Sequence, residues 1–326
     1  VREEIMGDHQ VSQRLLDMAR AARGPRTLSE GALRSRFGDP DKVEVAVGQV
    51  WRARWEDVSV LLLLLAVDAR EVHAVPVTID PSGEDERALV VDAAQTAFGV
   101  EVTAWVSLAD RVGLGVLDRP LDAWGDGMVQ WVQQAVRGKP GPAPAGTRAG
   151  RAVSSAFDPS ADVRAALADD LARLQQAPRL PVQETGRAVQ GQGLAALLKG
   201  QPPDLALLMQ VLGMSQAEVM DLLRGKVPLR PDQVDALAEA TGIEATKIAG
   251  AVRPLPLDLV SEAEHPRLRP VWIRRAQQLK VSEAQARMTD AYGAFALAAR
   301  ETGGQTNWGT RLRHYVRDQE RAGDDS

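Results

Sequence analysis

Between Gly138 and Gly150 the chain reads Gly-Lys-Pro-Gly-Pro-Ala-Pro-Ala-Gly-Thr-Arg-Ala-Gly, and the hydrophobic pattern differs on its two sides. Proline removes a backbone donor and fixes φ, while glycine adds conformational entropy, so the stretch predicts neither helix nor core. It reads as a semi-stiff linker over 138–150. Upstream, from Gly48, short runs rich in Val and Leu cover 60–67, 72–79, 88–91, 99–106 and 112–117, separated by turn residues such as Asp80-Pro81-Ser82-Gly83. In Val75, Val77 and Ile79, and again in Val100, Val102, Ala104 and Val106, apolar residues recur at every second place, the spacing of half-buried strands. The run Val60–Val67, with five leucines at its centre, has the length of a buried strand and is too short to span a bilayer. Leu121, Trp124, Met128, Trp131 and Ala135, at helical spacing, close this unit. Ahead of it, Val11, Leu15, Met18 and Ala22 share a helix face, and a second short helix is expected after Thr27 or Ser29, stopping near Gly38-Asp39-Pro40.

Downstream the pattern is helical throughout. Val163, Leu167, Leu171 and Leu174 make one stripe, with Asp158 or Ser160 as its cap. Residues 186–253 read as five short helices, and three more follow at about 266–280, 283–302 and 307–320. The second of these opens with a capping box, Ser282-x-x-Gln285, and ends at Gly303-Gly304. The expected architecture is α+β and multidomain. N-terminal helices occupy 1–44 and a small, mostly-β, barrel-like domain 45–137. An all-α C-terminal half then holds a helical region over 151–253 and a basic helical tail bundle over 254–326.

Composition excludes several chemistries. The 326 residues contain no cysteine, which removes disulfides, zinc–thiolate sites, iron–sulfur clusters and thiol nucleophiles. His9, His73, His265 and His314 are scattered singly, so neither a metal site nor a cofactor is expected. The start, Val1 to Met6, leads into a charged stretch without an apolar signal-peptide core, and the expectation is a soluble, cytoplasmic protein with no membrane partner. The overall charge of −5 is unevenly spread: 48–130 hold six Lys/Arg against fourteen Asp/Glu, 186–253 hold seven of each, and 265–321 hold eleven against five. An acidic β unit repels a phosphate backbone, whereas the basic tail attracts one.

The most informative segment runs from Pro203 to Lys226. One helix ends at Gly213 and another begins at Ser215, where Ser215-x-x-Glu218 is a capping box. Leu205, Leu208, Val211 and Leu212 face Met214, Val219, Leu222 and Leu223 across the turn, and helices joined so tightly cross steeply. The Leu-Gly-Met-Ser turn, the Leu-Leu-Arg-Gly-Lys end and the following Arg-Pro-Asp-Gln-Val-Asp-Ala-Leu-Ala-Glu-Ala-Thr-Gly-Ile resemble the Xre/lambda-repressor-like helix-turn-helix family over roughly 186–252. The resemblance implies double-stranded DNA as partner and transcription regulation in a bacterial cell. It makes 215–224 a recognition helix lying in the major groove. Gln216, Ala217 and Met220 would then stand at the bases and Arg224, Lys226 and Arg230 at phosphates, with Ser215, which opens the helix, as a further DNA-binding candidate. The chain departs from the family at Pro202-Pro203-Asp204, where a carboxylate opens the first helix, and in the acidic Glu218 and Asp221.

Two further segments bear on function. Gly48-Gln-Val-Trp51 followed by Val75-Pro-Val-Thr78 resembles a diverged MazF/PemK-type small barrel over about 45–135, a fold of RNA-cutting toxins. In that family a cation and a Ser/Thr take part in cleavage; Thr78 fits the second, but Trp55-Glu56-Asp57 puts acid where the cation belongs, leaving Arg52 or Arg54 as substitutes. The unit therefore reads as non-catalytic: a sensor, a protein-partner surface or a homodimerisation domain. In the tail, Arg274, Arg275, Arg311 and Arg313 are candidate phosphate contacts, while Trp272, Tyr292, Phe295, Trp308, Leu312 and Tyr315 read as the core of a three-helix bundle. A ribonuclease toxin fused to a control module, and a protein-interaction scaffold, are the alternative readings.

Overall fold

The computed structural model describes residues 26–39, 42–79, 83–153, 155, 158–182, 194–198, 204–223, 229, 231–243, 248, 255–298 and 307–324. The helix expected over Val11–Ala22 lies outside them. The chain divides into two compact units, one from residues 1–112 and 116–175, the other from 113–115 and 176–326.

The first unit opens with α1 (Glu30–Phe37), where the Ser29 hydroxyl accepts from the Ala32 amide at 3.3 Å and Gly38, at φ 78°, ends the helix. Both are the stop and start signals of the sequence. Strands β1 (Gln49–Trp55), β2 (Val58–Val67), β3 (Glu71–Thr78), β4 (Leu89–Val91), β5 (Val102–Ala104), β6 (Asp110–Gly113) and β7 (Leu117–Ala123) follow, then α2 (Asp126–Val136), β8 (Thr147–Ala149) and α3 (Pro159–Gln175). The strand order is β7-β1-β2-β3-β5-β4-β8, with β6 on β3, and neighbours such as β1–β2, β2–β3 and β4–β5 run antiparallel. Leu62, Leu63 and Leu64 are wholly buried in succession, so β2 is covered on both faces. Leu63 and Leu65 join a core with Val129, Trp131 and Val132 of α2, and α3 packs on β1 and β2.

Three expectations are corrected here. The sheet is open, not barrel-like: β7 and β8 end the strand order without pairing. Alternation tells which face of a strand is buried but not whether the first and last strands meet, and closure demands a consistent stagger that three-residue β4, β5 and β8 do not build. The β7 edge is instead occupied by α1, whose Arg36 donates to the Leu121 carbonyl at 3.2 Å. Next, Leu121 belongs to β7, and the closing helix starts only at Asp126.

The third correction concerns 138–150, which is no linker. Thr147–Ala149 forms β8 on β4, pairing Val90 with Arg148, and the Gly146 carbonyl and Gly150 amide bond to Asp92 and Ala88 at 3.0 and 2.8 Å. The Trp131 indole donates to the Gly141 carbonyl at 2.9 Å. At Gly150 a Cβ would collide with the Asp85 carbonyl, so glycine is what permits this approach. Composition measured what the segment could bury and missed the backbone groups of β4 that it satisfies. The unit accordingly extends to Gln175 and includes α3, where Asp158 accepts from the Ser160 amide at 3.0 Å as the expected cap.

In the second unit, α4 (Leu194–Leu197), α5 (Leu205–Leu212), α6 (Gln216–Leu223) and α7 (Pro231–Thr241) enclose Leu208, Leu212, Val219, Leu222 and Leu237. A second core is built by α8 (Leu257–Ala263), α9 (Arg269–Leu279), α10 (Glu283–Ala298) and α11 (Trp308–Asp324). Trp272, Tyr292 and Leu312 are buried there and Phe295, Trp308 and Tyr315 pack beside them, as the sequence predicted. The bundle has a further wall, because Leu259, Val260 and Ala263 of α8 are buried and the Trp272 indole donates to the Ala263 carbonyl at 2.8 Å. At the start of α10 the Ser282 hydroxyl accepts from the Gln285 amide at 3.2 Å; Gly303-Gly304 lies outside the described residues.

Candidate nucleic-acid interface

The geometry of the α5–α6 corner follows from four residues. Asp204 caps α5, its carboxylate accepting from the Ala206 amide at 3.2 Å. At the other end Gly213 adopts φ 61° and ψ 32°, the left-handed conformation that ends helices, and the Gly213 and Met214 amides both turn back to the Met209 carbonyl. Ser215 then starts α6 reciprocally: its amide donates to Glu218 Oε2 at 2.7 Å, while its hydroxyl accepts from the Glu218 amide at 3.4 Å. The Ser215 side chain, and then its amide, hold the Glu218 carboxyl below its ordinary range.

These constraints fix which face of α6 is spent on the core. Val219 and Leu222 are buried and Leu223 packs beside them. Ser215, Gln216 and Ala217 are exposed on the first turn, and Met220 is half-buried one turn on. Glu218 also faces water, but its carboxylate is engaged in the cap. Arg224, Lys226 and Arg230 lie outside the described residues. Gln233 was not singled out from the sequence. It is buried on α7, and its Nε2 donates to the Leu212 carbonyl at 3.1 Å, tying α7 to the end of α5. Its position four residues before the buried Leu237, on the core side of a helix, was the available signal.

The tail candidates separate into two kinds. Arg274 and Arg313 are exposed and Arg311 is half-buried. Arg275 is corrected: it is buried, its Nε and Nη2 forked onto Asp290 at 3.0 and 3.3 Å, so a phosphate would have to displace a buried carboxylate to reach it. Arg269 and Arg287 are similarly buried on Glu283, and Arg267 pairs with Glu262. Burial pulls the Arg287 guanidinium below its ordinary range, against the attraction of Glu283 and Glu264. Much of the arginine that made the tail read as basic is therefore internal. What remains outside on α11 is a stripe of Arg313, Arg317 and Arg321, spaced by four residues, with His314 beside it.

In the β unit, the residues weighed for RNA cleavage have other partners. The Thr78 hydroxyl accepts from the indole of buried Trp105 at 3.0 Å. Arg52 is paired with Asp118, and Asp57 with Arg173 of α3. Glu56, at φ 52°, turns the β1–β2 hairpin. His73 is half-exposed on β3.

Among the described residues no group of acidic and histidine side chains could hold a metal ion, and no helix is long and apolar enough to cross a membrane. Compared with known proteins, the chain matches no protein-family model and no curated protein.

Proposed function

We propose that the chain is a DNA-binding regulator that places the first turn of α6 in the major groove of double-stranded DNA. The observation that carries this reading is the exposed Ser215-Gln216-Ala217 turn on a helix whose opposite face is sealed by Val219 and Leu222. A reader helix needs its N-terminal side chains free and its seating rigid, and the reciprocal Ser215–Glu218 cap supports the second requirement. Gln216 offers the amide that bonds an adenine edge in two places. The 186–253 segment carries equal numbers of positive and negative residues, so the non-specific part of the affinity falls to Lys226, Arg224 and Arg230 together with Arg274, Arg311, Arg313 and the rest of the α11 stripe.

The β unit, in this reading, is not an enzyme. Thr78 accepts from Trp105 and Arg52 is paired with Asp118, which supports a sensing, partner-binding or dimerising part.

A second reading, protein docking through the same corner, is favoured by the Asp204 carboxylate that opens α5 and by the neutral charge balance. Selection from a random double-stranded DNA library by the full chain separates the two. Enrichment of a defined site, competed by salt, supports DNA reading; enrichment of nothing at 50 mM salt leaves the corner as a docking surface.

A further inference from the structure

We propose that α6 reads a short A·T run, with an adenine at Gln216 and the 5-methyl groups of thymine against Ala217 and Met220. This rests on the placement of α6 in the major groove and adds the chemical class of the bases it meets. The side chains that the corner turns outward divide by chemistry. The exposed Gln216 amide carries a donor and an acceptor side by side, the match to adenine N7 and N6. Ala217, exposed beside it, and Met220, half-buried one turn on, offer apolar surface alone. Among the groups that bases present in the major groove, the thymine methyl is the apolar one, so it is the group such surface can desolvate.

The other bases find weaker partners. Gln216–Leu223 contains neither arginine nor lysine, so the forked contact to guanine O6 and N7 has no donor on α6. Carboxylates suit cytosine N4, but Glu218 is engaged in the cap and half-buried Asp221 is not free. The Ser215 hydroxyl, which accepts from the Glu218 amide, suits any base and selects none. At about 1.5 Å per residue, Gln216 and Met220 stand about 6 Å apart along the helix, close to two base-pair steps of about 3.4 Å. The three contacts therefore fall within about three successive base pairs.

The test starts from the site that the full chain enriches from a random double-stranded library. Its thymines are replaced one at a time by uracil, which removes the methyl and keeps the pairing. By fluorescence anisotropy, uracil at each of two positions should weaken binding about fourfold, the worth of one buried methyl. Met220→Gln keeps a straight-chain helix former and should erase the uracil penalty at one of them. Gln216→Glu should move the preferred base at its position from adenine to cytosine. A folding defect would weaken every sequence alike, so the change of preference decides the matter. An enriched site built on guanines, or a uracil series without effect, overturns the assignment and leaves the placement of α6 standing. Enrichment of no site removes the DNA reading itself, and this assignment with it.

Discussion

Asp290→Ala is expected to be among the most damaging single changes in the second unit. The Asp290 and Arg275 side chains are only 1% and 7% exposed, and the carboxylate meets the guanidinium through two bonds at 3.0 and 3.3 Å. Removing the acid strands a buried cation, a loss of about 3–5 kcal/mol when no water can replace the partner. That is a large share of the roughly 5–15 kcal/mol that holds an ordinary domain together. Replacing both partners with apolar residues of similar volume, Arg275→Met with Asp290→Leu, removes the desolvation penalty as well as the attraction and should be neutral or stabilising by up to about 4 kcal/mol. Hydrogen exchange of α9 and α10 peptides along a urea series reads the effect locally, which matters in a chain of two units where a single unfolding midpoint is ill defined. A single change costing under about 1 kcal/mol, or a double change as damaging as the single one, refutes the reasoning. The same pair carries a functional expectation: the double variant should retain DNA affinity, because Arg275 is structural and no phosphate contact is lost with it.

Ser215→Ala should cost the α6 cap about 1 kcal/mol, seen as a lower urea midpoint for α5–α6 peptides. Because Glu218 is held below its usual pKa in the folded state, its contribution is complete above the unfolded carboxyl value and should fade as pH falls through the lowered folded value; circular dichroism of wild type against Glu218→Gln from pH 6 to pH 2 checks it, and identical profiles would contradict it. Ending the first unit at residue 137 removes β8 and α3, so a 26–137 fragment should give a collapsed, poorly dispersed amide spectrum while 26–175 gives a dispersed one. The 26–175 fragment should leave a long unstructured RNA uncut; cleavage abolished by Thr78→Ala would restore the ribonuclease reading.

What was legible in the sequence was local. The Ser29, Asp158, Ser215 and Ser282 caps, the Gly213 stop and the buried β2 leucines all follow from short-range patterns of one or two turns. Strand β1 was overlooked because Arg52 and Arg54 interrupt its apolar residues, although Val50, Trp51 and Ala53 are buried. The linker reading of 138–150 failed for a non-local reason: its partner β4 lies more than fifty residues away, and hydrogen bonding at that range leaves no trace in composition. The tail arginines failed the same way. Arg269 and Arg275 carry no local sign that Glu283 and Asp290 on the next helix will claim them, whereas Arg287 pairs with Glu283 four residues earlier on its own helix. Gln233 shows the converse case, a polar residue on a core face whose amide completes the end of another helix.

The most direct test of DNA reading is fluorescence anisotropy of the full chain on its selected site, as a function of salt, for wild type, Gln216→Ala and Lys226→Ala. Gln216→Ala should cost about 1–3 kcal/mol on that site and relax preference at one position while leaving the salt slope unchanged. Lys226→Ala should weaken all sequences alike and lower the slope by about one unit. Removing 265–326 is a poor substitute, since those residues contribute the second core as well as the exposed arginines. Specific binding untouched by both point changes, or an affinity independent of salt, would contradict the placement of α6 in the groove.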